Sequence, residues 1–323
     1  ATMHAWLCHR YGGPEALGRT ILPVPAPRPD DVLVRIHATT VSSADARVRA
    51  LRLPRGFGVL GRPLFGWFRP RQPILGTEFA GTIAAVGERV TAWRPGDAVI
   101  GFPGATMGSH AEFRIMPPGR PLIAKPASLS FAEAAALCFG GTTALHYLRK
   151  AALQPGQSLL VIGASGAVGS AMVQLARHLG ARVTAVVGPH NRELASKLGA
   201  DTVIDYSRED FTRGAARYDI VADTVGATTF RRCLPILNEQ GRYLGIAADL
   251  PGLLARPAGT KRSIVGPAPE RIEHVAELGR LAAAGVLRPL IDEVFAFDRL
   301  PAAHARVDSG RKRGSAVVQI VPE

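Results

Sequence analysis

Apolar residues in the central part of the chain follow two alternating spacings. Short apolar runs, typical of buried strands, are separated by stretches in which apolar residues recur every three or four positions, as on one face of a helix. The predicted strands span residues 159–162, 182–187, 202–204, 220–223, 242–247 and 263–265. The predicted helices begin near Ala167, Arg192, Thr228 and Glu270. This alternation predicts an α/β fold, in which a doubly wound parallel sheet carries helices on both faces.

Both ends of the chain have a different, β-rich pattern, in which short apolar runs are separated by turns rich in proline and glycine. Such runs occur at residues 31–37, 81–86, 97–101, 290–297 and 316–321. A β-rich tail that follows an α/β region often returns to the domain that precedes it. We therefore expect the last two runs to join the domain formed by the first three.

A helix is predicted between the two patterns. Ser130 is followed three residues later by Glu133, which is the capping-box spacing, and the apolar positions continue through Leu148. With 323 residues the chain is too long for one ordinary core. These features together predict two domains that meet near this helix.

The amino-acid composition says less about function than the spacing of apolar residues does. The chain carries 39 Lys and Arg against 26 Asp and Glu, a net charge of +13, most of it arginine. Such a charge favours anionic ligands by long-range steering, although an arginine bias also arises from genome composition. The three cysteines, Cys8, Cys138 and Cys233, are too few and too far apart for a disulfide framework. No apolar run is long enough to span a membrane, and we expect a cytoplasmic protein without stable membrane insertion.

The glycine-rich turn at residues 163–169 has the sequence of a dinucleotide site. It follows a predicted strand and begins a predicted helix, with Ala164, Gly166 and Gly169 at the spacing of the Rossmann fingerprint. The second position lets the backbone approach a phosphate, and the third lets the helix pack closely on the strand. A pyrophosphate is therefore predicted at this helix N-terminus. The residues predicted to bind it are Ser165, Gly166, Ala167 and Val168.

The end of the second predicted strand favours NADPH over NADH. An NAD enzyme keeps an acidic residue there for the ribose 2′-hydroxyl, whereas this chain has Gly188. Gly188 leaves room, and His190, Asn191 and Arg192 can donate hydrogen bonds to a 2′-phosphate. The alternative is that Arg192 is only a solvated residue in the first turn of the next helix.

Several segments, taken in order, resemble the medium-chain dehydrogenase/reductase family. They are YGGPEA (11–16), GTEFAG (76–81), VG (86–87), RPGD (94–97), AAAL (134–137), GTTA (141–144), GASGAVG (163–169), LGAD (198–201) and VIDY (203–206). The chain is most similar to the zinc-independent, quinone-oxidoreductase-like branch. The resemblance implies a GroES-like catalytic domain of residues 1–125 and 268–323, a Rossmann NADP(H)-binding domain of residues 126–267, and a homodimer.

The resemblance also indicates that no zinc is bound. Zinc alcohol dehydrogenases of the superfamily have Gly-His-Glu where this chain has Gly76-Thr77-Glu78, and threonine is not a usual zinc ligand. Serines stand near the usual cysteine position, and the four-cysteine structural lobe is missing. Without a Lewis acid, hydride transfer suits quinones and α,β-unsaturated carbonyls, because a few hydrogen bonds can stabilise charge on a conjugated oxygen.

Candidate catalytic residues follow from the same resemblance. Thr143 matches the family threonine beside the nicotinamide, and Asp45 matches an acidic position in the family's Val-Asn-x-x-Asp pattern. Ser43 is a further hydroxyl candidate. A helix cap is the alternative for Asp45, and a buried back-bonded hydroxyl is the alternative for Thr143. Further cofactor contacts are implied at Tyr206, Thr224, Val225, Gly245 and Ile246.

Other functions remain open at this point. A zinc-free carbonyl or alcohol dehydrogenase is one, and a non-catalytic cofactor-binding protein, either crystallin-like or nucleic-acid-binding, is another. The arginine-rich residues 46–77, which have no acidic residue and include several aromatics, allow four interpretations. They are a solvated loop whose aromatics fold back onto the body, a handle for an anionic substrate such as an acyl-CoA, a site for single-stranded nucleic acid, and a hairpin at a membrane surface.

Overall fold

The computed structural model describes residues 1–52, 62–63, 65–247 and 254–322. These residues divide into two compact units. The first unit combines the N-terminal part of the chain, through Phe139, with the C-terminal part from Glu270. The second unit is formed by Gly140–Pro269.

The described strands are β1 (Thr2–Cys8), β2 (Leu17–Pro23), β3 (Val32–Val41), β4 (Phe79–Val86), β5 (Ala98–Gly101), β6 (Phe113–Met116), β7 (Leu122–Ala124), β8 (Ser158–Ile162), β9 (Arg182–Val187), β10 (Thr202–Asp205), β11 (Tyr218–Asp223), β12 (Leu237–Gly245), β13 (Arg262–Val265), β14 (Ile291–Ala296) and β15 (Ser315–Gln319). The described helices are α1 (Ser43–Ala50), α2 (Phe131–Ala135), α3 (Cys138–Lys150), α4 (Ala167–His178), α5 (Arg192–Lys197), α6 (Phe230–Cys233), α7 (Ile272–Ala283) and α8 (Leu300–Asp308).

The second unit contains a six-stranded parallel sheet in the order β10-β9-β8-β11-β12-β13. Its central strand β8 is buried, with Leu159, Leu160 and Val161 wholly inaccessible, as expected for a strand covered on both faces. After β8 the chain forms β9 and β10 on one side of this strand, and then returns to form β11, β12 and β13 on the other side. The predicted doubly wound parallel sheet is therefore confirmed.

Strand β12 differs most from its prediction. It begins at Leu237, ahead of the expected start at Arg242, and ends at Gly245 rather than at Ala247. Its first part is polar and exposed at Glu239 and Gln240, so the apolar pattern does not reveal it. Leu237 pairs with Tyr218 of β11, and the ladder is irregular before it continues at Arg242.

The first unit is built on a seven-stranded sheet, in which six strands follow the order β14-β15-β3-β4-β5-β7 and the seventh, β6, pairs with β3. The C-terminal strand β15 lies between β14 and β3, where Val317 is paired with Thr40. The expected return of the C-terminal runs to the N-terminal domain is confirmed. Strands β1 and β2 form a separate antiparallel ladder.

The helix predicted through Leu148 is broken into two. Its start is as expected, because Ser130 and Glu133 make both hydrogen bonds of the capping box. Helix α2 nevertheless ends at Ala135, and α3 begins at Cys138. The break has a physical cause: the Phe139 N–H donates to the Glu78 carboxylate at 2.7 Å instead of extending the preceding helix.

Two other helices begin slightly later than predicted. Helix α6 starts at Phe230, because the Thr229 hydroxyl caps it by accepting from the Arg232 N–H. Helix α7 starts at Ile272 rather than near Glu270. Glu270 instead forms an ion pair with Arg120.

Two further observations concern membrane-spanning helices and the cysteines. None of the described helices has the length and apolar character needed to cross a membrane. Cys8, Cys138 and Cys233 are all buried, and they form no disulfide with one another.

Candidate active site

The predicted cofactor residues gather at one edge of the parallel sheet. The residues after the carboxyl ends of β8, β9, β10, β11 and β12 lie along this edge. The strand order reverses at β8, which has β9 on one side and β11 on the other. In open α/β sheets this reversal opens a crevice at the carboxyl ends of the strands, where ligands bind.

The glycine-rich turn leaves the N-terminus of α4 available for an anion. Gly166 is the N-cap residue, and no side chain caps the helix. The first amides of the helix therefore keep their hydrogen-bonding capacity for a ligand, and the helix dipole favours negative charge there. Gly169 permits close packing, since a Cβ atom at this position would lie 2.2 Å from the Gly163 carbonyl oxygen. A dinucleotide pyrophosphate fits this turn.

The carboxyl end of β9 presents donors rather than a carboxylate. Gly188 follows the last residue of the strand, and His190 and Arg192 are exposed close by in the sequence. The Asn191 side-chain amide donates to the Ser165 hydroxyl at 3.2 Å, which connects this segment to the glycine-rich turn. This donor set suits a phosphate group better than a neutral ribose hydroxyl.

Tyr206 and Asp205 border this segment from the end of β10. The Tyr206 hydroxyl lies 3.1 Å from the point where a Cβ atom on Gly188 would stand, and its side chain is exposed. Asp205 is turned away to Ser207, whose hydroxyl donates to it at 2.7 Å. The hydrogen bonds from Ser207, together with the charges of Arg208 and Arg192, lower the pKa of the Asp205 carboxyl.

The turn after β11 is organised by Asp223, which the sequence analysis did not single out. Its carboxylate accepts from four successive backbone N–H groups, those of residues 225–228, at 2.8–3.2 Å. The Thr224 hydroxyl donates to the Ile162 carbonyl at 2.8 Å and so ties this turn to β8. An aspartate at the end of a predicted strand, directly before Thr-Val-Gly, is the signal that could have identified it.

Residues at the end of β12 are held by the same aspartate. The Ile246 N–H donates to the Asp223 carbonyl at 3.1 Å. The Tyr147 hydroxyl donates to the Gly266 carbonyl and lies 3.4 Å from the Gly245 carbonyl. Gly245 and Ile246 thus stand at the same edge as Thr224.

Thr143 is half-buried on α3. The start of that helix approaches the glycine-rich turn closely, because a Cβ atom on Gly140 would lie 2.4 Å from the Ala167 carbonyl oxygen. The structure therefore brings the part of α3 that precedes Thr143 next to the start of α4. Half-burial of Thr143 is compatible with both a residue beside the nicotinamide and a back-bonded hydroxyl.

In the first unit, Asp45 is a fully buried cap of α1. Its carboxylate accepts from the Ser42 N–H at 2.7 Å, the Ser42 hydroxyl at 2.6 Å and the Gly76 N–H at 2.8 Å. The Ser42 N–H donates to the Asp45 carboxylate and the Asp45 N–H donates to the Ser42 hydroxyl, and these two bonds form a capping box. Ser43 follows the cap as the first residue of the helix and is half-buried.

Glu78 is a buried acid with two polar neighbours. The Thr40 hydroxyl donates to one carboxylate oxygen at 2.6 Å, and the Phe139 N–H donates to the other. Burial raises the pKa of Glu78 to about 7, although these hydrogen bonds act in the opposite direction. The structure places Glu78 at the N-terminus of α3.

Two positions that the resemblance relates to zinc ligands are neighbours in the first unit. The Thr77 hydroxyl lies 3.4 Å from the Ser42 hydroxyl, and both residues are buried. Nowhere in the described part of the chain do three His, Cys, Asp or Glu side chains form a group that could hold a metal ion.

Two family models match the chain. One, described as "Alcohol dehydrogenase GroES-like domain", matches residues 28–127, and the other, described as "Zinc-binding dehydrogenase", matches residues 198–318. Both agree with the implied GroES-like domain and Rossmann-type sheet, so the predicted fold class is confirmed.

Individual proteins resemble the chain over nearly its whole length. The 2-methylene-furan-3-one reductase of Solanum lycopersicum is 31% identical over 333 residues, which cover 99% of this chain and 80% of the reductase. The mitochondrial NAD(P)H oxidoreductase RTN4IP1 of Mus musculus is 29% identical over 356 residues, which cover 99% and 89% of the two chains. The solved structure of the quinone oxidoreductase from Coxiella burnetii has a TM-score of 0.88 at 27% identity, and covers 99% of this chain and 100% of its own. This chain therefore belongs to the medium-chain dehydrogenase/reductase family and is an oxidoreductase with a nicotinamide cofactor.

Proposed function

We propose that this protein transfers hydride from NADPH to quinones or α,β-unsaturated carbonyls without a zinc ion. The observation that carries the proposal is the edge of the parallel sheet, where an uncapped helix N-terminus lies beside Gly188 and the exposed Arg192. That edge has donors for a pyrophosphate and for a 2′-phosphate, and the carboxylate of Asp205 on β10 accepts a hydrogen bond from Ser207. Quinone and enone reductases among the similar proteins support the acceptor class.

Each part of the cofactor has a proposed set of residues. The first turn of α4, with Ser165, Gly166, Ala167 and Val168, holds the pyrophosphate. His190, Asn191 and Arg192 bind the 2′-phosphate; Gly188 itself leaves no open space, because the Tyr206 ring lies against it. Tyr206 contacts the adenosine phosphate. Thr224 and Val225 contact the ribose. The nicotinamide is contacted by Gly245, Ile246 and Thr143. The bound cofactor supplies the hydride from its C4 atom.

The protein's own contribution to the chemistry is hydrogen bonding at the acceptor oxygen. We propose the hydroxyls of Thr143 and Ser43 as the donors, because developing negative charge there needs only neutral hydrogen bonds. For Asp45 we propose a positioning role. Its two oxygens accept three hydrogen bonds within the first unit, so the carboxylate fixes Ser42 and the start of α1 next to Ser43.

Absence of a zinc ion follows, in this proposal, from the chemistry of the donor set. Ser42 and Thr77 present hydroxyls at 3.4 Å from one another, and a neutral hydroxyl is a poor zinc ligand. The neighbouring carboxylate of Glu78 is already engaged by Thr40 and Phe139. Metal analysis of the purified protein tests this point, and a stoichiometric zinc content that is needed for turnover would contradict it.

The test is the oxidation of NADPH, followed by its absorbance at 340 nm, with a benzoquinone, a naphthoquinone, an enone and crotonyl-CoA as acceptors. NADH is the paired control. We expect turnover on a quinone or enone and a strong preference for NADPH. Tight NADPH binding without turnover on any acceptor would instead support a non-catalytic cofactor-binding protein.

Two finer points belong to the same proposal. Crotonyl-CoA tests whether the acceptor is an anionic, acyl-CoA-like compound held by the exposed arginines Arg62, Arg69 and Arg71. Reduction that persists when all three are changed to Ala would contradict such a handle. We also propose a homodimer, which sedimentation of the purified chain would test.

A further inference from the structure

The arginine-rich segment exposes two neighbouring aromatic side chains. Trp67 is 62% exposed and Phe68 is 86% exposed, whereas Phe65 is half-buried. The interpretation in which the aromatics fold back onto the body is therefore wrong for Trp67 and Phe68. Arg55 and Phe57, from the same sequence segment, lie outside the described residues.

The turn that presents these side chains is closed by backbone hydrogen bonds. The Arg71 N–H donates to the Phe65 carbonyl at 2.7 Å, and the Gly66 N–H donates to the Arg62 carbonyl at 2.9 Å. Gly66 has a φ of +126°, which only glycine adopts easily. The Tyr11 hydroxyl donates to the Gly66 carbonyl at 2.8 Å and ties the turn to the rest of the first unit. We name residues 65–72, with Arg62 and Pro63, the aromatic turn.

Arginines surround the tip of the aromatic turn. Arg62, Arg69 and Arg71 are exposed, and the sequence contains no acidic residue between Asp45 and Glu78. The Arg71 guanidinium donates to the Pro63 carbonyl at 2.7 Å, and the Arg62 guanidinium reaches the Trp67 carbonyl. Arg71 is therefore held at the base of the turn, Arg62 reaches the backbone of its tip, and the side chains of Trp67 and Phe68 are exposed.

The positive charge of the aromatic turn favours some binding partners over others. A second copy of the chain in a two-fold interface would place the same arginines against each other, which is unfavourable. The surface instead complements an anion. Single-stranded nucleic acid is usually bound in a basic groove with stacking side chains distributed along it, whereas here both exposed rings stand on one turn. Two exposed aromatic rings beside exposed arginines on one turn match an anionic bilayer surface, where rings enter the headgroup boundary and arginines pair with lipid phosphates.

We propose that the aromatic turn docks this protein peripherally on membranes rich in anionic lipid. Trp67 and Phe68 enter the boundary between headgroups and acyl chains, and Arg62, Arg69 and Arg71 remain at the level of the lipid phosphates. The contact is reversible, because two side chains on one turn form no membrane-spanning element. It does not depend on which acceptor the enzyme reduces.

The test is co-sedimentation of the full chain with vesicles of phosphatidylcholine alone and of phosphatidylcholine mixed with phosphatidylserine. We expect binding to the anionic vesicles, much weaker binding to the neutral ones, and release when NaCl is raised from about 0.05 M to about 0.5 M. The double variant W67S/F68S should bind about tenfold more weakly. The matched control I21S/L254S removes two exposed apolar side chains from other places and should bind as the unchanged protein does.

The role of the charges is tested in the same way. R62Q/R69Q/R71Q should lose binding to anionic vesicles, whereas R182Q/R231Q/R280Q, which changes the net charge equally at exposed positions elsewhere, should largely retain it. Trp67 gives a direct signal: its emission should shift to shorter wavelength on addition of anionic vesicles, and W67F should lose this shift.

Three results would overturn the proposal. They are equal binding to neutral and anionic vesicles, unchanged binding by W67S/F68S, and binding of a uridine oligonucleotide that depends on the same rings while vesicles are not bound. The W67S/F68S variant should retain NADPH oxidation with a water-soluble acceptor in the absence of vesicles. Failure of the docking proposal is thereby distinguishable from failure of the proposed function.

Discussion

At the scale of single residues, Glu78 has the most unusual environment in the first unit. It is buried and accepts from Thr40 and from the Phe139 N–H at the start of α3. Burial raises the pKa of its carboxyl from the ordinary 4.5 to about 7, so in the folded protein it keeps a proton that it loses on unfolding between those pH values. The folded state then becomes less stable as the pH rises through this window.

The variant Glu78→Gln tests this directly, since its amide cannot titrate. Between pH 4.5 and 7 the free energy of unfolding of the unchanged protein should fall relative to that of the variant. The difference should reach about 3 kcal/mol and be constant above pH 7. Urea unfolding at several pH values measures it. The buried His304, whose pKa is lowered by burial, affects both proteins equally below its ordinary pKa of 6.5 and cancels in the comparison. A difference independent of pH would contradict the prediction.

Arg192 is the residue on which cofactor choice should depend most. It is exposed after the carboxyl end of β9, and a hydrogen bond to a charged phosphate contributes about 1.5–3 kcal/mol. Arg192→Ala should therefore raise the KM for NADPH roughly ten- to hundredfold and leave the KM for NADH nearly unchanged. The control is Arg182→Ala, an exposed arginine at the opposite end of the same strand. An unchanged KM for NADPH would mean that Arg192 is only a solvated residue.

At the scale of elements, the packing of α4 on β8 determines the geometry of the phosphate site. Gly169 lets the helix begin directly against the end of the strand, and the absence of a capping side chain leaves its first amides for a ligand. Helix α3 is held to the same place through Gly140, which approaches Ala167. The site is therefore built by close backbone contacts rather than by long side chains.

Gly169→Ala should disturb this arrangement, because its Cβ would lie 2.2 Å from the Gly163 carbonyl oxygen, a backbone atom that cannot rotate away. We expect a loss of about 1–3 kcal/mol in the free energy of unfolding, together with weaker NADPH binding. Thermal unfolding with and without NADPH measures both. Gly214→Ala is the matched control, since no atom lies within 4 Å of its Cβ position. Equal stability and affinity in the two variants would refute the close-packing account.

At the scale of the whole molecule, the C-terminal part of the chain completes the sheet of the first unit. Strand β15 is bonded to β14 on one side and to β3 on the other, and Val317 and Val318 are wholly inaccessible. A residue near the end of the chain is thus as central to the first unit as residues near its beginning. Stability of this unit depends on contacts across almost the full length of the sequence.

Val318→Asp should therefore destabilise the protein strongly, because it places an unpaired carboxylate in this sheet. We expect a loss of about 3–5 kcal/mol, seen as a lower urea midpoint of the transition that belongs to the first unit. The matched substitution Val294→Asp lies on the neighbouring strand β14 at a position that is 46% exposed, and should cost less than about 1 kcal/mol. Similar losses for both variants would contradict the central position of β15.

The amino-acid sequence by itself determined the features that depend on local pattern. Residues 182–187 form a short, mostly apolar run, the glycine-rich turn has its spacing within one segment, and Ser130 and Glu133 are three residues apart. Strand and helix periodicity, turn chemistry and capping all act over a few residues, so they can be recognised without a structure. Proposed roles for Thr143, Ser43 and the cofactor residues remain predictions of the same kind.

Tertiary structure alone decided the features that join distant residues. Glu78 interrupts the predicted helix by accepting from Phe139, Asp45 accepts from Gly76, and β12 begins early where Leu237 pairs with β11. The exposure of Trp67 and Phe68 is also a property of the folded chain. Such contacts leave no periodic trace in the sequence, because their partners are brought together by folding and not by spacing along the chain.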